Sequence, residues 1–560
     1  MADDDLRQEN NPASTPDGSG RLSPNDGGRC DDSAGEVQDA DGAAAAWRDD
    51  LDGGIRAAWS VDAVRAAEKA TGDDFTNGAL MQRAARGLAD IVSREVVELE
   101  RRGVTSPRVV VLVGPGNNGG DALYAARDLA VDGIECLALL VADKAHVDGV
   151  AAARAAGVDV ARYESASHSG AEPEGGGREN AHALAHADLV VDGILGIGAD
   201  PGRASTWQEL ADLIPIQAFV VAVDCPTPGF RADITVTFGG PKTSLMLAPA
   251  ANGRIEVADI GVHLPLGERE AMRLSGTDLA HLWPVPGPRD HKYTRGVVGL
   301  ATGSDAFPGA AVLGAVAAVT AGAGMVRYVG PRRAQDAVTA AAPEVVHGSG
   351  RVQAWVVGSG IDGPSEREHE SDRYDSAMAA LRSGEPVVID AGALTWFEPG
   401  VRPEGAQTVI TPHAGELATL LQSRDIDVER STVEADPVTW ARRAANETGA
   451  TVLLKGGVTV IASPGEGPVT IENRAPHWLA TAGTGDVLAA LLGVLLAAGL
   501  EPRSAAALAA YTHGRAAHLA NPDGPVRALD VATSLGRVVS ELVAEQRRVH
   551  EERRAGRFPR

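Results

Sequence analysis

The feature that most constrains the fold is an alternation of short apolar runs with helical stretches, which occurs twice along the chain. In the first half, β-branched runs at 108–113 and 134–141 flank a helical stretch at 120–131. In the second half, a run at 296–301 precedes a small-residue helix at 310–323. Such alternation is typical of parallel sheets with crossover helices. The sequence therefore predicts two α/β domains, each with three α/β/α layers, the first of them Rossmann-like.

Length and charge set the domain plan. A chain of 560 residues, 44% of them hydrophobic, is long enough for more than one buried core. Residues 1–52 contain fourteen Asp and Glu against four Lys and Arg, which predicts a disordered acidic leader. Because the strand–helix pattern restarts after Leu274, we place a first domain at 53–270, a second at 275–545 and a charged tail at 546–560.

Composition also excludes several classes of partner. The net charge of −25 argues against nucleic-acid binding, which depends on clustered cations. The three cysteines, Cys30, Cys136 and Cys225, are too few and too scattered for a disulfide framework and fit a reducing compartment. The acidic start does not resemble a secretory signal, and no apolar run is long enough to span a bilayer. We therefore expect a cytoplasmic protein without a membrane partner.

In the second half, the string Gly483-Thr484-Gly485-Asp486 precedes an apolar helix at 487–492. Glycines at that position present free backbone amides at a helix amino terminus, which binds anions. Asp486 lies where the reacting oxygen of a substrate would meet a bound phosphate, so it is a candidate general base. The alternative interpretation is a simple turn with an acidic helix cap.

Three further residues support a site. Asp390 ends one predicted strand, His413 follows another, and Lys455 begins a tight turn between two strands. Taken singly, they are more often a helix cap, a turn histidine and a solvated charge. Strand ends are, however, where α/β sheets bind ligands. Together these residues predict one crevice.

These residues resemble those of the ADP- or ATP-dependent NAD(P)H-hydrate dehydratases over about 274–542. The matching strings are His291-Lys292-Tyr293-Thr294-Arg295-Gly296, Gly303-Ser304, Pro308-Gly309-Ala310-Ala311, Ala321-Gly322-Ala323-Gly324, Pro343-Glu344-Val345, Thr411-Pro412-His413, Lys455-Gly456 and Leu479-Ala480-Thr481-Ala482-Gly483-Thr484-Gly485-Asp486-Val487-Leu488. The resemblance implies a ribokinase-like lyase domain that dehydrates S-NADHX and S-NADPHX, the C6-hydrated cofactors. It also implies ADP (or ATP) as co-substrate with Mg²⁺, and AMP and phosphate as products when ADP is used.

The same resemblance implies residue roles. Asp486 is the expected catalytic base: it would remove the hydroxyl proton, the oxygen would take a phosphoryl group, and loss of phosphate would restore the dihydronicotinamide. The residues implied to contact the hydrate are Ala310, Gly360, His413 and Asp486. Those implied to hold the nucleotide are Lys455, Gly456, Gly457, Val458, Thr459 and Gly485.

Two positions depart from the family pattern. The usual Gly-Pro-Gly turn reads Gly358-Ser359-Gly360, and the usual second aspartate after Asp390 is Gly392. Because Asp390 is retained, we interpret the second change as a weakened metal or substrate contact rather than loss of the site.

In the first half, the string Val113-Gly114-Pro115-Gly116-Asn117-Asn118-Gly119-Gly120-Asp121 joins a predicted strand to a helix. Its amides can receive phosphate, while its amide and carboxylate side chains can bind a ligand. Two later strand ends, 190–196 and 221–227, carry Asp192 and Asp224. A plain glycine-rich turn is the alternative.

These strings resemble the NAD(P)H-hydrate epimerases over about 59–262. The resemblance implies an isomerase that interconverts the R and S hydrates, with Asp224 as acid/base and K⁺ held by Asn118, Asp192 and Thr227. The residues implied to hold the substrate are Asn117, Asn118, Gly119, Gly120, Asp121, Gly196, Ile197, Gly198, Ala199, Asp200, Pro201, Gly202 and Asp224. Three departures stand out: Thr227 replaces a serine, the loop 228–233 is short, and the turn 196–200 is atypical.

The leading hypothesis is a bifunctional metabolite-repair enzyme acting on NADHX and NADPHX, expected as a homo-oligomer and using ADP rather than ATP by resemblance. A second hypothesis is a ribokinase-like kinase for another small hydroxylated acceptor. A third is that the first half is a non-catalytic ligand-binding or assembly module.

Overall fold

The computed structural model describes residues 55–163, 176–196, 204–361 and 371–555. These residues form a seven-stranded and an eleven-stranded sheet, which confirms two layered α/β domains. The acidic leader predicted at 1–52 lies outside the described residues. The domain limits proposed from the sequence stay predictions.

A two-residue strand, β1 (Ala57–Ala58), precedes the first sheet. The strands of that sheet are β2 (Val109–Val113), β3 (Cys136–Leu140), β4 (Asp159–Arg162), β5 (Leu189–Gly193), β6 (Phe219–Val223), β7 (Ile234–Phe238) and β8 (Arg254–Ala258). They lie in the order β4-β3-β2-β5-β6-β7-β8, and each neighbouring pair is parallel. The carboxyl ends of the strands therefore share one edge.

Helices cover both faces of this sheet. They are α1 (Val61–Ala70), α2 (Asp73–Thr76), α3 (Ala79–Arg101), α4 (Asn117–Val131), α5 (Val147–Ala155), α6 (Gly176–Leu184), α7 (Ala204–Leu213), α8 (Thr243–Leu247) and α9 (Pro249–Asn252). Val109 and Val111 pack into the core that includes α3 and α4, whereas Val110 and Leu112 pack into the opposite core with Leu210. Alternate strand residues thus fill two cores.

The second sheet contains β9 (Ala271–Met272), β10 (Val297–Ala301), β11 (Met325–Tyr328), β12 (Val346–His347), β13 (Ala354–Val357), β14 (Val387–Ile389), β15 (Thr408–Ile410), β16 (Thr451–Leu454), β17 (Thr459–Ala462) and β18 (Val469–Glu472). Its order is β1-β9-β18-β17-β16-β15-β14-β13-β10-β11-β12. The strands from β16 through β12 in that order run parallel, and β17 is antiparallel to β16 and β18.

The second domain's helices are α10 (Gly276–Leu282), α11 (Pro308–Thr320), α12 (Arg332–Ala341), α13 (Ser371–Arg382), α14 (Ala414–Gln422), α15 (Arg430–Ala435), α16 (Pro437–Thr448), α17 (Thr484–Ala497), α18 (Pro502–Ala520) and α19 (Ala528–Arg554). Helix α17 is buried from Val487 to Ala497, as its apolar sequence predicts. Residues 546–554 continue α19 as helix. In the parts of the chain described, no helix is both long and apolar enough to cross a bilayer.

The start of the first domain is built into the second sheet. Strand β1 pairs antiparallel with β9, and β9 pairs with β18. Met246 of α8 packs in the core of the second sheet, and its carbonyl accepts a hydrogen bond of 2.9 Å from Asn473 Nδ2. Because α1 follows β1 after two residues, the first domain's leading helix is anchored on the second domain.

Candidate active sites

The second-domain site lies where three parallel strands end. Asp390 follows β14, His413 follows β15 after two residues, and Lys455 follows β16. The backbone of Lys455 donates to the carbonyl of Pro412 at 2.8 Å, which brings the second and third of these ends together. The predicted convergence of these residues is what parallel pairing produces.

The half-buried Lys455 and the buried Asp390 form an ion pair at this edge. Lys455 Nζ lies 2.9 Å from Asp390 Oδ1, and Thr411 and Ser359 donate hydroxyl hydrogen bonds of 2.7 and 2.9 Å to the same carboxylate. Burial alone would raise the pKa of Asp390, but the Lys455 charge and these hydrogen bonds outweigh it and hold the pKa below its usual value. Asp390 is therefore a fixed anion that anchors Lys455.

Asp486 lies in the first turn of α17. Gly483 caps that helix in the left-handed region at φ +90°, and the Thr484 hydroxyl donates to the carbonyls of Leu479 and Thr481 at 2.9 Å each. Burial, followed by the charge of Asp390, raises the pKa of Asp486 to about 7, although Lys455 opposes the rise. A carboxyl group that titrates near neutral pH can act as a general base.

Glycine at 485 leaves room between the helix end and the lysine. A Cβ atom there would lie 3.5 Å from Lys455 Nζ, which is close enough for a side chain at this position to fill the gap. The amino end of α17, the Lys455 ammonium and the Asp486 carboxyl therefore face one small space. An anionic group would find both amides and a cation there.

His413 is an exposed helix cap. Its Nδ1 accepts from the Glu416 amide at 3.1 Å, and the Glu416 carboxylate accepts from the His413 amide at 2.8 Å. This capping box at the start of α14 is the structural role that the sequence allowed. The His413 side chain is 57% exposed and remains available to a ligand, so its substrate contact stays a prediction.

Small residues allow close packing between the turn after β13 and the start of α11. Gly360 has φ +68°, and a Cβ atom on it would lie 2.4 Å from the Ala310 Cβ. The turn after β16 is similarly tight, because a Cβ on Gly456 would lie 3.1 Å from the Val458 carbonyl. Gly457 and Val458 complete that turn, and Thr459 begins β17.

In the first domain, the glycine-rich string forms the start of α4. Asn118 Nδ2 donates to the carbonyls of Val223 and Leu195 at 2.7 and 3.3 Å, which ties α4 to the ends of β6 and β5. A Cβ on Gly119 would lie 2.1 Å from the Gly114 carbonyl. Only glycine fits at that position, as close backbone approach requires.

Asp192 is a fully buried carboxylate bound to Thr227. Thr227 donates to it through both its hydroxyl and its backbone amide, at 2.7 Å each. Within the described residues, no Lys, Arg or His nitrogen forms an ion pair with Asp192. Burial raises its pKa to about 6 even though Thr227 opposes the rise. A buried carboxylate with a hydroxyl beside it offers oxygen ligands of the kind that bind hard cations.

Asp224 is paired with Lys242, a residue for which the sequence predicted no role. Lys242 is 2% exposed; its Nζ lies 2.5 Å from Asp224 Oδ1 and donates to the Thr237 hydroxyl at 2.9 Å. Thr237 donates in turn to Asp224 at 2.9 Å. Asp224 has φ +65°, a conformation that is strained for a non-glycine residue and is often found at functional positions. The signal available in the sequence was a lysine placed shortly after the predicted strand that ends near Phe238.

These residues open on a cavity of about 790 Å³. Its lining includes Asn117, Asn118, Asp121, Gly196 and Asp224 from the predicted set, and Glu68 from α1. Burial, then the charges of Asp224 and Glu68, raises the pKa of Asp121 well above its usual value. Burial likewise raises the pKa of Glu68. The predicted residues Gly119 and Gly120 support the lining from α4.

The predicted substrate residues Ile197, Gly198, Ala199, Asp200, Pro201 and Gly202 lie outside the described residues. Their role stays a prediction. The remaining predicted residues of each domain are brought to one strand edge.

Comparison with known proteins gives matches to both halves. A family model described as NAD(P)H-hydrate dehydratase matches residues 298–537, and one described as YjeF-related protein N-terminus matches residues 77–244. The bifunctional NAD(P)H-hydrate repair enzyme Nnr of Mycobacterium leprae is 41% identical over 512 residues, 87% of this chain and 98% of that protein. The enzyme of the same name from Mycobacterium tuberculosis is 41% identical over 476 residues, 81% of this chain and 92% of that protein.

Among solved structures, the chain is similar to the ADP/ATP-dependent NAD(P)H-hydrate dehydratase from Bacillus subtilis co-crystallised with ATP and Mg²⁺. That match has 24% identity and a TM-score of 0.43, and it covers 48% of this chain and 98% of the other. At this similarity it bears on neither ligands nor residue roles.

Proposed function

This chain belongs to the family of bifunctional NAD(P)H-hydrate repair enzymes, and we propose on that premise that its two sites divide the repair of hydrated NADH and NADPH. The second domain is an NAD(P)H-hydrate dehydratase, a lyase, and the first is of the epimerase type, an isomerase. The family match favours repair over phosphorylation of another small acceptor.

The dehydratase proposal rests above all on Asp486 and its surroundings. A carboxyl with a pKa of about 7 stands at a helix end suited to phosphate. Asp486 takes the proton of the C6 hydroxyl, and the freed oxygen attacks the terminal phosphoryl group of the nucleotide. Phosphate then leaves from C6 as C5 loses a proton, which restores the dihydronicotinamide.

Lys455, Gly485 and the 456–459 turn hold the nucleotide in this proposal. The Lys455 ammonium is fixed by Asp390 at 2.9 Å, so it is positioned before the phosphates arrive. Asp390 already accepts three side-chain hydrogen bonds, and Gly392 offers no carboxylate. Mg²⁺ would therefore be held by the phosphates and water more than by protein, and it would neutralise phosphate charge.

The epimerase proposal rests on the Asp224–Lys242 pair beside the cavity. Asp224 is the acid/base, and the amino end of α4 holds the substrate's phosphates. Asn118, Asp192 and Thr227 would hold K⁺, which would neutralise the buried Asp192 carboxylate and stiffen the strand ends around Asp224.

The central test is to incubate the purified protein with S-NADHX and either ADP or ATP and to follow the absorbance of restored NADH. Recovery with ADP and weaker or no recovery with ATP is expected. Asp486→Asn should abolish recovery while nucleotide binding, measured by calorimetry, persists, because the isostere removes the base and keeps the shape. If NADH is restored with neither nucleotide, the proposal is refuted.

Epimerisation should be assayed with the full chain. Strand β1 and Met246 are packed into the second domain, so an isolated 53–270 fragment would lose packing partners. Pure R-NADHX, incubated without nucleotide, should yield the S form on chromatography. A chain that dehydrates the S form but leaves the R form unchanged would instead have a non-catalytic first domain.

We also propose that the protein acts in the cytoplasm as a homo-oligomer on both NADHX and NADPHX. Light scattering on the purified full chain measures the assembly, and parallel assays with the two hydrates measure the preference. A monomeric mass would contradict the first expectation.

A further inference from the structure

The first-domain cavity carries more negative than positive side chains. Glu68, Asp121, Asp148 and Asp224 line it. The cationic side chains in the same lining are Arg65 and Lys242, and the lining also contains the histidine His146. Lys242 is already paired with Asp224 at 2.5 Å. The part of the cavity around these carboxyl groups therefore favours a positively charged ligand group, whereas the amino end of α4 favours phosphate.

Asp121 differs from Asp224 in its surroundings. It is 7% exposed, lies on α4 and lines the same cavity as Asp224, the residue that follows β6. Among the described residues, no cationic nitrogen lies within 4 Å of its carboxyl group, whereas Asp224 has Lys242. Burial and the charges of Asp224 and Glu68 keep the pKa of Asp121 well above its usual value. One cavity thus holds a carboxylate paired with a lysine and a buried carboxyl group without a cationic partner, whose burial favours the acid form, an arrangement that can separate a base from an acid.

We propose that Asp121 is a second catalytic residue of the epimerase, donating the proton with which the C6 hydroxyl leaves as water, while Asp224 accepts a proton from the water that returns. This inference rests on the proposed epimerase function of the first domain.

The Asp121 carboxyl protonates the C6 hydroxyl, the C6–O bond breaks, and the nitrogen lone pair forms a C6=N1 iminium cation together with water. Water then adds to the opposite face of C6, the C6=N1 electrons return to nitrogen, and Asp224 takes the surplus proton. The net result is inversion at C6 and transfer of one proton from Asp121 to Asp224, and exchange with solvent resets both groups.

The charge of the cavity selects this route. Opening the ring by deprotonating the hydroxyl would place negative charge on the ring nitrogen and its carboxamide, in a cavity whose lining has more carboxyl groups than cations. Loss of water places positive charge there instead, and the proton given up by Asp121 leaves a carboxylate that stabilises it. The Asp224 carboxylate and the newly ionised Asp121 both face the cation.

The first experiment compares wild type with Asp121→Asn in the full chain, measuring R-to-S conversion without nucleotide and S-NADHX dehydration with ADP. Loss of a proton donor should lower the epimerisation kcat about 100-fold or more, with dehydration and KM for the hydrate near wild type. Asp132→Asn, at the exposed end of the same helix, should retain both activities. Epimerisation by Asp121→Asn within threefold of wild type would overturn the proposal.

A second experiment needs no variant. In H₂¹⁸O, each inversion by the wild type should place one solvent oxygen at C6, measured by mass spectrometry against an enzyme-free control. Inversion that retains the original oxygen would overturn the water-loss route. Failure of the wild type to epimerise at all would instead contradict the proposed function.

The pH profile provides a third readout. The acid form of Asp121 is required, so kcat for epimerisation should fall as pH rises through its elevated pKa. The charged groups that surround it, Glu68, Arg65, His146, Asp148, Asp224 and Lys242, are retained in Asp121→Asn, so that variant should lose the alkaline limb alone. An unchanged profile would contradict the role of Asp121.

Discussion

Lys455 Nζ lies 2.9 Å from Asp390 Oδ1, whereas, among the described residues, Asp486 forms no ion pair within 4 Å. The two carboxylates of this site therefore differ in state. The pKa of Asp390 lies below its usual value, and the pKa of Asp486 is raised to about 7. One carboxylate anchors the lysine, and the other can take up a proton at neutral pH.

The first prediction concerns the pH dependence of dehydration. A general base must be ionised, and the raised pKa keeps Asp486 largely protonated below about 7. The kcat/KM for S-NADHX should therefore rise about tenfold per pH unit below pH 7 and level off above pH 8. Initial rates at saturating ADP between pH 5.5 and 9 measure this. A rate that falls over the same range would contradict the assignment.

The second prediction concerns the stability of Asp486→Asn. A carboxyl whose pKa is raised from 3.8 in the unfolded chain to about 7 in the folded protein weakens the fold progressively as the pH rises between those two values, and by a constant amount above them. Asn should therefore raise the free energy of unfolding at pH 8 by about 2 to 4 kcal/mol and change it little at pH 4. Denaturant titrations at both pH values test this. Asp390→Asn, the matched control, should destabilise at pH 8, because it removes the partner of Lys455.

The third prediction concerns Lys455→Met. The substitution leaves Asp390 buried at 2% exposure without its counter-charge, which should cost about 3 kcal/mol of unfolding free energy. It should also abolish ADP binding in calorimetry. Lys144→Met, at an exposed lysine of the first domain, should change neither. Intact ADP affinity in Lys455→Met would contradict the proposed nucleotide contact.

The fourth prediction concerns monovalent cations. Replacing K⁺ by choline at equal ionic strength should slow epimerisation about tenfold or more, because Asp192 then stays buried without a cation. Thr227→Val, which keeps the shape but lacks the hydroxyl, should raise the K⁺ concentration needed for half-maximal rate. Equal rates in both salts would argue against the site.

Much of the second-domain site follows from the sequence. Asp390, His413 and Lys455 each follow a predicted strand, and parallel strands bring their carboxyl ends to one edge. The helix after Gly483 is predicted from local sequence alone, because its run of apolar residues is continuous. The fold class and the family resemblance of both halves are confirmed by the sheets and by the family matches.

Contacts between distant segments could not be predicted in this way. Ser359 appeared only as a departure from a family turn, yet its hydroxyl donates to Asp390 at 2.9 Å. Strand β1 pairs with β9, more than 200 residues later in the chain. Because β1 is only two residues long, it shows no alternation of apolar and polar residues from which a strand could be predicted. The contact between Lys242 and Asp224 could not be predicted either, because it depends on how β6 and β7 pair in the sheet.

The fifth prediction is a double-mutant cycle on Asp224 and Lys242. Lys242→Met leaves a buried carboxylate unpaired, so it should destabilise the first domain by about 3 kcal/mol and abolish epimerisation. Adding Asp224→Asn removes that charge and should recover most of the stability without recovering activity, because the acid/base is gone. Dehydration of S-NADHX by the second domain serves as the control in every variant. Additive losses of stability in the double variant would show that the two side chains do not act as a pair.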